Sequence, residues 1–256
     1  MPALPEQGAM SKILDVTVAP SSYKKTVDQC IEWAQLGESR AVFFANVHMI
    51  MEAHDDAGFR ARLNAADLIN PDGVPLVWAL RAIGERDASR VYGPDTTEML
   101  LKSAEDADVK VGFYGGSEST LETLLAEVKR RHPKLQTVFA MSPPFRALSA
   151  VEDEEITRKI ADSGARMLFV GLGCPKQENW IMEHFGRIPA VMLGVGAAFD
   201  FLAGSKPQAP RWMMKNGMEW AFRLATEPRR LLVRYMKHNP RFVALFLRQW
   251  IAHSTT

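Results

Sequence analysis

The chain has 256 residues, 47% of them hydrophobic and 24% charged, with two cysteines and a formal net charge of +1. That length carries one large domain or a domain with an appendage, and the composition is the ordinary one of a soluble globular protein. No uninterrupted run of about 18 apolar residues occurs, which excludes a spanning helix, and Cys30 and Cys174 alone make neither a disulfide framework nor a metal spacing.

The N-terminus, MPALPEQGAMSK, lacks the basic and apolar regions of a signal peptide, so a reducing cytosol is the expected compartment. From there, apolar β-branched runs alternate with segments of helical period. Strands are expected over 13–18, 41–45, 67–69, 110–114, 137–141, 166–170 and 190–194. Helices are expected over 23–36, 48–64, 74–83, 95–105, 119–131, 152–163 and 176–185. Such alternation predicts βαβ units: an α/β, Rossmann-like, largely parallel sheet with helices on both faces, over about residues 1–205. After Asp200 the strands stop. Residues 206–256 read as a helical appendage, with helices near 210–215, 218–226, 228–238 and 240–253; Pro228 and Pro240 suit first turns, where the missing N–H costs little.

The appendage is basic. From Arg211 onward there are nine Lys/Arg and two acids, a net +7 that leaves the remainder at −6. Arginines interleaved with Trp220, Phe222, Leu231, Tyr235, Phe242 and Trp250 suit an anionic membrane surface; the same apolar residues also suit packing on the core or on a partner subunit.

In an open parallel sheet, ligands bind beyond the carboxyl ends of the strands. The stretches that follow strands are ANVH, NPDGVP, GGSES, GLGCPKQE and GVGAAFD. Gly115 and Gly116 open a strand-to-helix turn that lets backbone amides approach an anion at a helix N-terminus. No Gly-Lys-Ser/Thr follows and the dinucleotide fingerprint is incomplete, which favours a nucleoside diphosphate over a dinucleotide. Gly171 and Gly173 leave their strand sharply, and Lys176 and Gln177 add a charge and a donor–acceptor pair at the mouth of the expected pocket. Glu178 reads as a first-turn acid favoured by the helix dipole. Asp72, between Pro71 and Gly73, is either turn chemistry or a general base whose pKa an apolar helix behind it would raise; Asn46 would orient a hydroxyl, or serve a turn. The six histidines show no zinc pairing, His48 alone lies near the pocket, and Asp106-Ala107-Asp108 stands at the wrong end of the sheet for a nucleotide-bound cation. Lysines and arginines would then neutralise a departing diphosphate.

Together, VGLGCPKQENW, GVGAAFDFLAG, APRWMMKNGMEWAFRLATEPRRLLVRY, NPDGVPLVWALR and GPDTTEMLLK resemble the WecG/TagA/CpsF glycosyltransferase family over about residues 13–241. The resemblance implies an inverting, metal-independent glycosyltransferase with no cofactor, working on the cytoplasmic face of the plasma membrane. It would move a sugar from a UDP-sugar to a sugar on a polyprenyl diphosphate, in teichoic acid or exopolysaccharide synthesis. It implies Asp72 as base, Asn46 and Gln177 as its polar companions, and Arg211, Arg223 and Arg230 as contacts to the donor diphosphate. Gly115, Gly116, Gly171, Gly173, Lys176 and Asp200 complete the expected donor-binding set. It also implies an appendage that closes over the site, meets the membrane and takes part in a monomer–oligomer equilibrium. Phe44 stands where many members carry Thr, and His48 where an acid is frequent. A nucleotide-sugar-binding protein without turnover is the alternative; a nucleic-acid binder would leave the pocket residues unexplained.

Overall fold

The computed structural model describes residues 11–254. The first ten residues, on which most of the signal-peptide reading falls, lie outside it, as do the side chains of Lys215, Arg230, His253 and Ser254. The core is a six-stranded, all-parallel sheet built from β3 (Arg40–Ala45), β4 (Leu68–Pro71), β5 (Val111–Gly115), β6 (Thr137–Met141), β7 (Met167–Gly171) and β8 (Val191–Gly194), in the order β4-β3-β8-β7-β5-β6. Its central strands are apolar throughout because both faces are covered, as parallel sheets require. Along β3, Phe43 joins one core while Val42 and Phe44 join the other. Along β7, Leu168 and Val170 alternate with Met167 and Phe169 in the same way.

One face carries α2 (Val47–Asp55), α3 (Ala57–Asn64), α4 (Val74–Ala82), α7 (Ala150–Asp162) and α8 (Lys176–His184). The other carries α1 (Tyr23–Leu36), α5 (Gly93–Asp106), α6 (Glu118–Arg131) and the short α9 (Ala198–Leu202). Caps fix most of these starts. Ser22, Asn46, Ser117 and Ser149 each accept a first-turn backbone N–H, and Ser149 with Glu152 forms a full capping box. The chain leaves β5 for the outer strand β6 through α6, whereas it leaves β7 for the inner strand β8 through α8, on the opposite face. The crevice between the ends of β5 and β7 is therefore the kind of topological switch point at which α/β sheets hold ligands.

Three expected elements change. Residues 13–18 are not one strand but an antiparallel hairpin, β1 (Ser11–Ile13) and β2 (Val16–Val18), turned by Leu14 and Asp15 at φ 47° and 67°. Two consecutive positive φ angles match the right-handed strand twist, and burial of Leu14 offsets the strain of a non-glycine residue there. The helix expected over 48–64 breaks at Asp56, whose extended backbone lets its carboxylate accept from Gly58 and Phe59 and start α3. The last two expected helices are one, α12 (Pro228–Ser254), running through Pro240. Pro240 forfeits one backbone hydrogen bond, but packing of Phe242, Leu245 and Phe246 on the sheet core holds the helix together across it. Short helices α10 (Arg211–Lys215) and α11 (Glu219–Thr226) precede it.

Candidate functional site

Asp72 follows β4, and its backbone N–H, with that of Gly73, donates to the carbonyl of Ala45 at the end of β3. This sets it beside Asn46. A Cβ on Gly73 would meet the Asn46 backbone at 3.3 Å, so the close approach of the two strand ends depends on glycine. Asn46 spends its side-chain oxygen on capping α2, accepting from the Met49 N–H. Both residues line a cavity of about 570 Å³, closed on its far side by α11 and α12. That size suits a small-molecule site. The walls away from Asp72 are largely apolar: Trp78 and Ala82 from α4, and Phe242, Val243, Phe246 and Leu247 from α12.

Two charged residues that sequence reasoning missed control Asp72. Arg90 sits on the loop between α4 and α5, pinned to β4 by the Val91 N–H donating to Pro71. Its guanidinium donates to the Asp72 backbone carbonyl, approaches Asp72 Oδ1 at 3.3 Å, and donates to Glu219 Oε2 of α11 at 2.6 Å. The Asp72 side chain is only 18% exposed. Its pKa rises to about 6: desolvation pushes it up, Arg90 pulls it down, Glu219 pushes it up again, and Arg223 pulls it down. Burial wins because Glu219 holds Arg90 closely and leaves the arginine's contact with Asp72 long. A carboxyl so placed is half ionised near pH 6 and takes a proton readily at neutral pH. Arg223 lines the same cavity, lies 3.9 Å from Glu219 Oε1, and stacks over Phe201. Its Nε is buried without a hydrogen-bond partner among the described residues.

Of the remaining expected residues, those whose side chains are described do not line this cavity. Gly115 and Gly171 meet across the switch point: a Cβ on Gly115 would lie 2.6 Å from the Gly171 backbone, and the Gly116 N–H donates to the Gly171 carbonyl at 3.1 Å. A Cβ on Gly171 would strike the Phe199 ring at 2.7 Å, so packing alone already demands these glycines. Gly173, at φ 79°, donates its N–H to Gln177 Oε1 and accepts the Gln177 N–H. Gln177 is 4% exposed and lies beneath Gly194 and Gly196 at the end of β8. Lys176 points outward. Asp200 pairs with Lys206, which also reaches Glu227 at 3.8 Å, tying α9 to the junction of α11 and α12. Arg211 is 68% exposed and pairs with Asp95, away from the cavity. Phe44 packs against Gly93 in the opposite core, so its departure from the family pattern does not reach this cavity.

Glu178 stands in the first turn of α8, as expected, but buried there. It is 1% exposed, accepts from Gln177 Nε2 at 2.8 Å, and has its pKa pushed up to about 7 by burial. The histidines also differ from the sequence reading, which looked only for spacing along the chain. His48 and His238, both lining the cavity, and Glu52 present ligand-type atoms within 4.8 Å of one another.

A family model described as the glycosyl transferase WecG/TagA/CpsF family matches residues 11–256. A Bacillus spizizenii (strain W23) protein named N-acetylglucosaminyldiphosphoundecaprenol N-acetyl-beta-D-mannosaminyltransferase is 32% identical over 222 residues, 85% of this chain and 83% of its own length. Proteins of the same name from Bacillus subtilis (strain 168) and Staphylococcus aureus (strain NCTC 8325) are 29% and 30% identical, covering 72% and 73% of this chain and 70% and 72% of their own. The Asp72 cavity and the parallel sheet beneath it thus sit in a chain matched from Ser11 to its last residue, and this protein belongs to the WecG/TagA/CpsF glycosyltransferase family, a hexosyltransferase.

Proposed function

We propose that the protein is an inverting transferase that moves a hexose from a UDP-sugar to a sugar carried on a polyprenyl diphosphate, of the N-acetylglucosaminyl-diphosphoundecaprenol kind named for its relatives. The observation that carries this reading is Asp72: a carboxyl with its pKa raised to about 6, at the head of a cavity that runs from polar groups around it to the apolar side chains of α4 and α12. Asp72 takes the proton of the acceptor hydroxyl. The hydroxyl oxygen forms a bond to the anomeric carbon from the face opposite the nucleotide, the bond from that carbon to the diphosphate oxygen breaks, and UDP leaves with the electron pair. Arg223 offsets the charge that grows on the leaving group, so no metal is required for that purpose.

The donor lies along the carboxyl edge. From the end of β4 to the end of β7 there are three strand steps, roughly 14 Å at the usual interstrand spacing, which is the scale of a nucleotide sugar. Its sugar meets Asn46 and its diphosphate heads toward the switch point at Gly115 and Gly171, with Arg211 joining only if the appendage shifts. The acceptor's lipid follows the Trp78–Phe246 trough outward. Among the described residues no helix is long and apolar enough to cross a membrane. Trp212, Trp220, Leu232, Val233, Met236, Val243 and Ile251 are exposed beside Arg229, Lys237 and Arg248, a surface suited to the anionic inner face of a plasma membrane.

The test is transfer from labelled UDP-sugars to synthetic N-acetylglucosaminyl-diphosphopolyprenol in EDTA, with Asp72→Asn alongside. Turnover in EDTA and a loss of roughly 100-fold or more in the variant are expected. An Asp72→Asn enzyme with most of its activity removes the base assignment. UDP binding without transfer to any lipid-linked sugar removes the reaction.

A further inference from the structure

The face of α2 that looks toward the lid carries His48 and, one turn on, Glu52; α12 lays His238 against them. His48 Nδ1 lies 3.7 Å from Glu52 Oε1, and His238 Nε2 lies 3.5 Å from the same oxygen. The two imidazoles meet edge to face with centroids 5.1 Å apart. These contacts are too long for good hydrogen bonds. They are close to the separation of two ligands on one tetrahedral ion: bonds of about 2.0–2.1 Å to zinc place neighbouring nitrogen and oxygen ligands about 3.3 Å apart. His238 is 3% exposed, and its Nδ1 has no hydrogen-bond partner among the described residues, so the protein alone leaves this ring poorly satisfied. Arg241, the next cation along that side of α12, is engaged by both oxygens of Asp55 and does not fill the gap.

We propose that His48, Glu52 and His238 bind one divalent transition ion of the zinc class, and that this ion fastens the C-terminal helix to the Rossmann-like core. Two imidazole nitrogens and one carboxylate oxygen are the ligand set such ions take, and they come from two elements that no covalent link holds together. Both histidines line the cavity, so the fourth position opens inward and takes water. The ion stands one helix turn from Asn46 along α2 and takes no part in the transfer proposed above. It acts on how often the α12 wall opens. The absence of a partner for His238 Nδ1 removes the usual outer support of a metal-bound histidine and predicts an exchangeable ion rather than a permanent one.

The experiment uses the full chain, stripped with a chelator and titrated with cobalt(II), then zinc. One equivalent of cobalt should give the intense visible absorption of a four-coordinate site, and zinc should abolish it. His238→Ala and Glu52→Ala should lose that absorption while keeping native circular dichroism, and His54→Ala, on the same helix but outside the cluster, should keep it. Hydrogen exchange of amides in 228–239 should slow with zinc, by up to about 100-fold when free zinc is 100 times its Kd, and should not slow in His238→Ala. No cobalt absorption, or an unchanged spectrum in a folded His238→Ala protein, overturns the site. Binding with no slowing of exchange in 228–239 overturns the fastening role.

Discussion

Asp72 and Glu178 are both carboxyls lifted by burial, with different consequences. Asp72 faces a cavity, so its ionisation should be read in turnover: kcat/KM should fall about tenfold per pH unit below pH about 6 and level off above it, because only the ionised form accepts a proton. Asp72→Asn should abolish that acid limb together with the rate. Glu178 faces Gln177 and the interior, so its ionisation should be read in stability. Its folded pKa of about 7 lies above the ordinary 4.5, so its protonated form favours the folded state. That contribution is complete below about pH 4.5 and is lost as pH rises through about 7. Glu178→Gln keeps the bond from Gln177 without the charge. It should match the parent in thermal unfolding at pH 4.5 and exceed it by about 2–3 kcal/mol at pH 8.5. Equal unfolding at both pH values would mean that Glu178 meets water.

At the scale of elements, the Asp72 carboxyl is tuned by a helix far from it in sequence. Glu219 of α11 holds Arg90 at 2.6 Å, while Asp72 has it only at 3.3 Å. Glu219→Gln weakens that hold and removes a neighbouring negative charge, so Arg90 turns to Asp72 and the acid limb of kcat/KM should move to lower pH; an unmoved limb would separate α11 from the base. The same contact shows what the sequence conceals. The places of Asn46, Asp72, Gly115 and Gly171 at the carboxyl edge were legible because a parallel strand buried on both faces reads as an apolar run, and the residues at its end must stand at that edge. Arg90, Glu219 and His238 were not, because each earns its position from tertiary packing between segments more than a hundred residues apart or from a loop without periodicity. Gln177 and Glu178 were legible as a pair at a strand end, but not as buried: Gly194 and Gly196, at the end of the next strand, make the room beneath which Gln177 folds. The split at Pro240 failed for a related reason, since local propensity yields where Phe242 and Phe246 have a core to enter.

Across the whole molecule, basic charge and most of the exposed large apolar side chains among the described residues gather on the C-terminal helices, which carry both the cavity's outer wall and the exposed Leu232, Val233 and Met236. On the proposed reading, membrane contact and substrate entry share a face. The triple substitution Leu232→Ser, Val233→Ser, Met236→Ser should weaken flotation with anionic phosphatidylglycerol vesicles at least tenfold while leaving UDP affinity unaltered, since each exposed apolar side chain that enters lipid contributes on the order of 1–2 kcal/mol. Undiminished flotation would place the membrane contact elsewhere. The appendage is nonetheless no loose flap. Gln249, near the end of α12, accepts from the Leu14 N–H and donates to the Lys12 carbonyl, and Trp250 donates to Ala82. Loss of the last turns of α12 would therefore strip the β1–β2 hairpin of its side-chain partner and α4 of its bond at Ala82 together, so damage at one end of the fold is felt at the other.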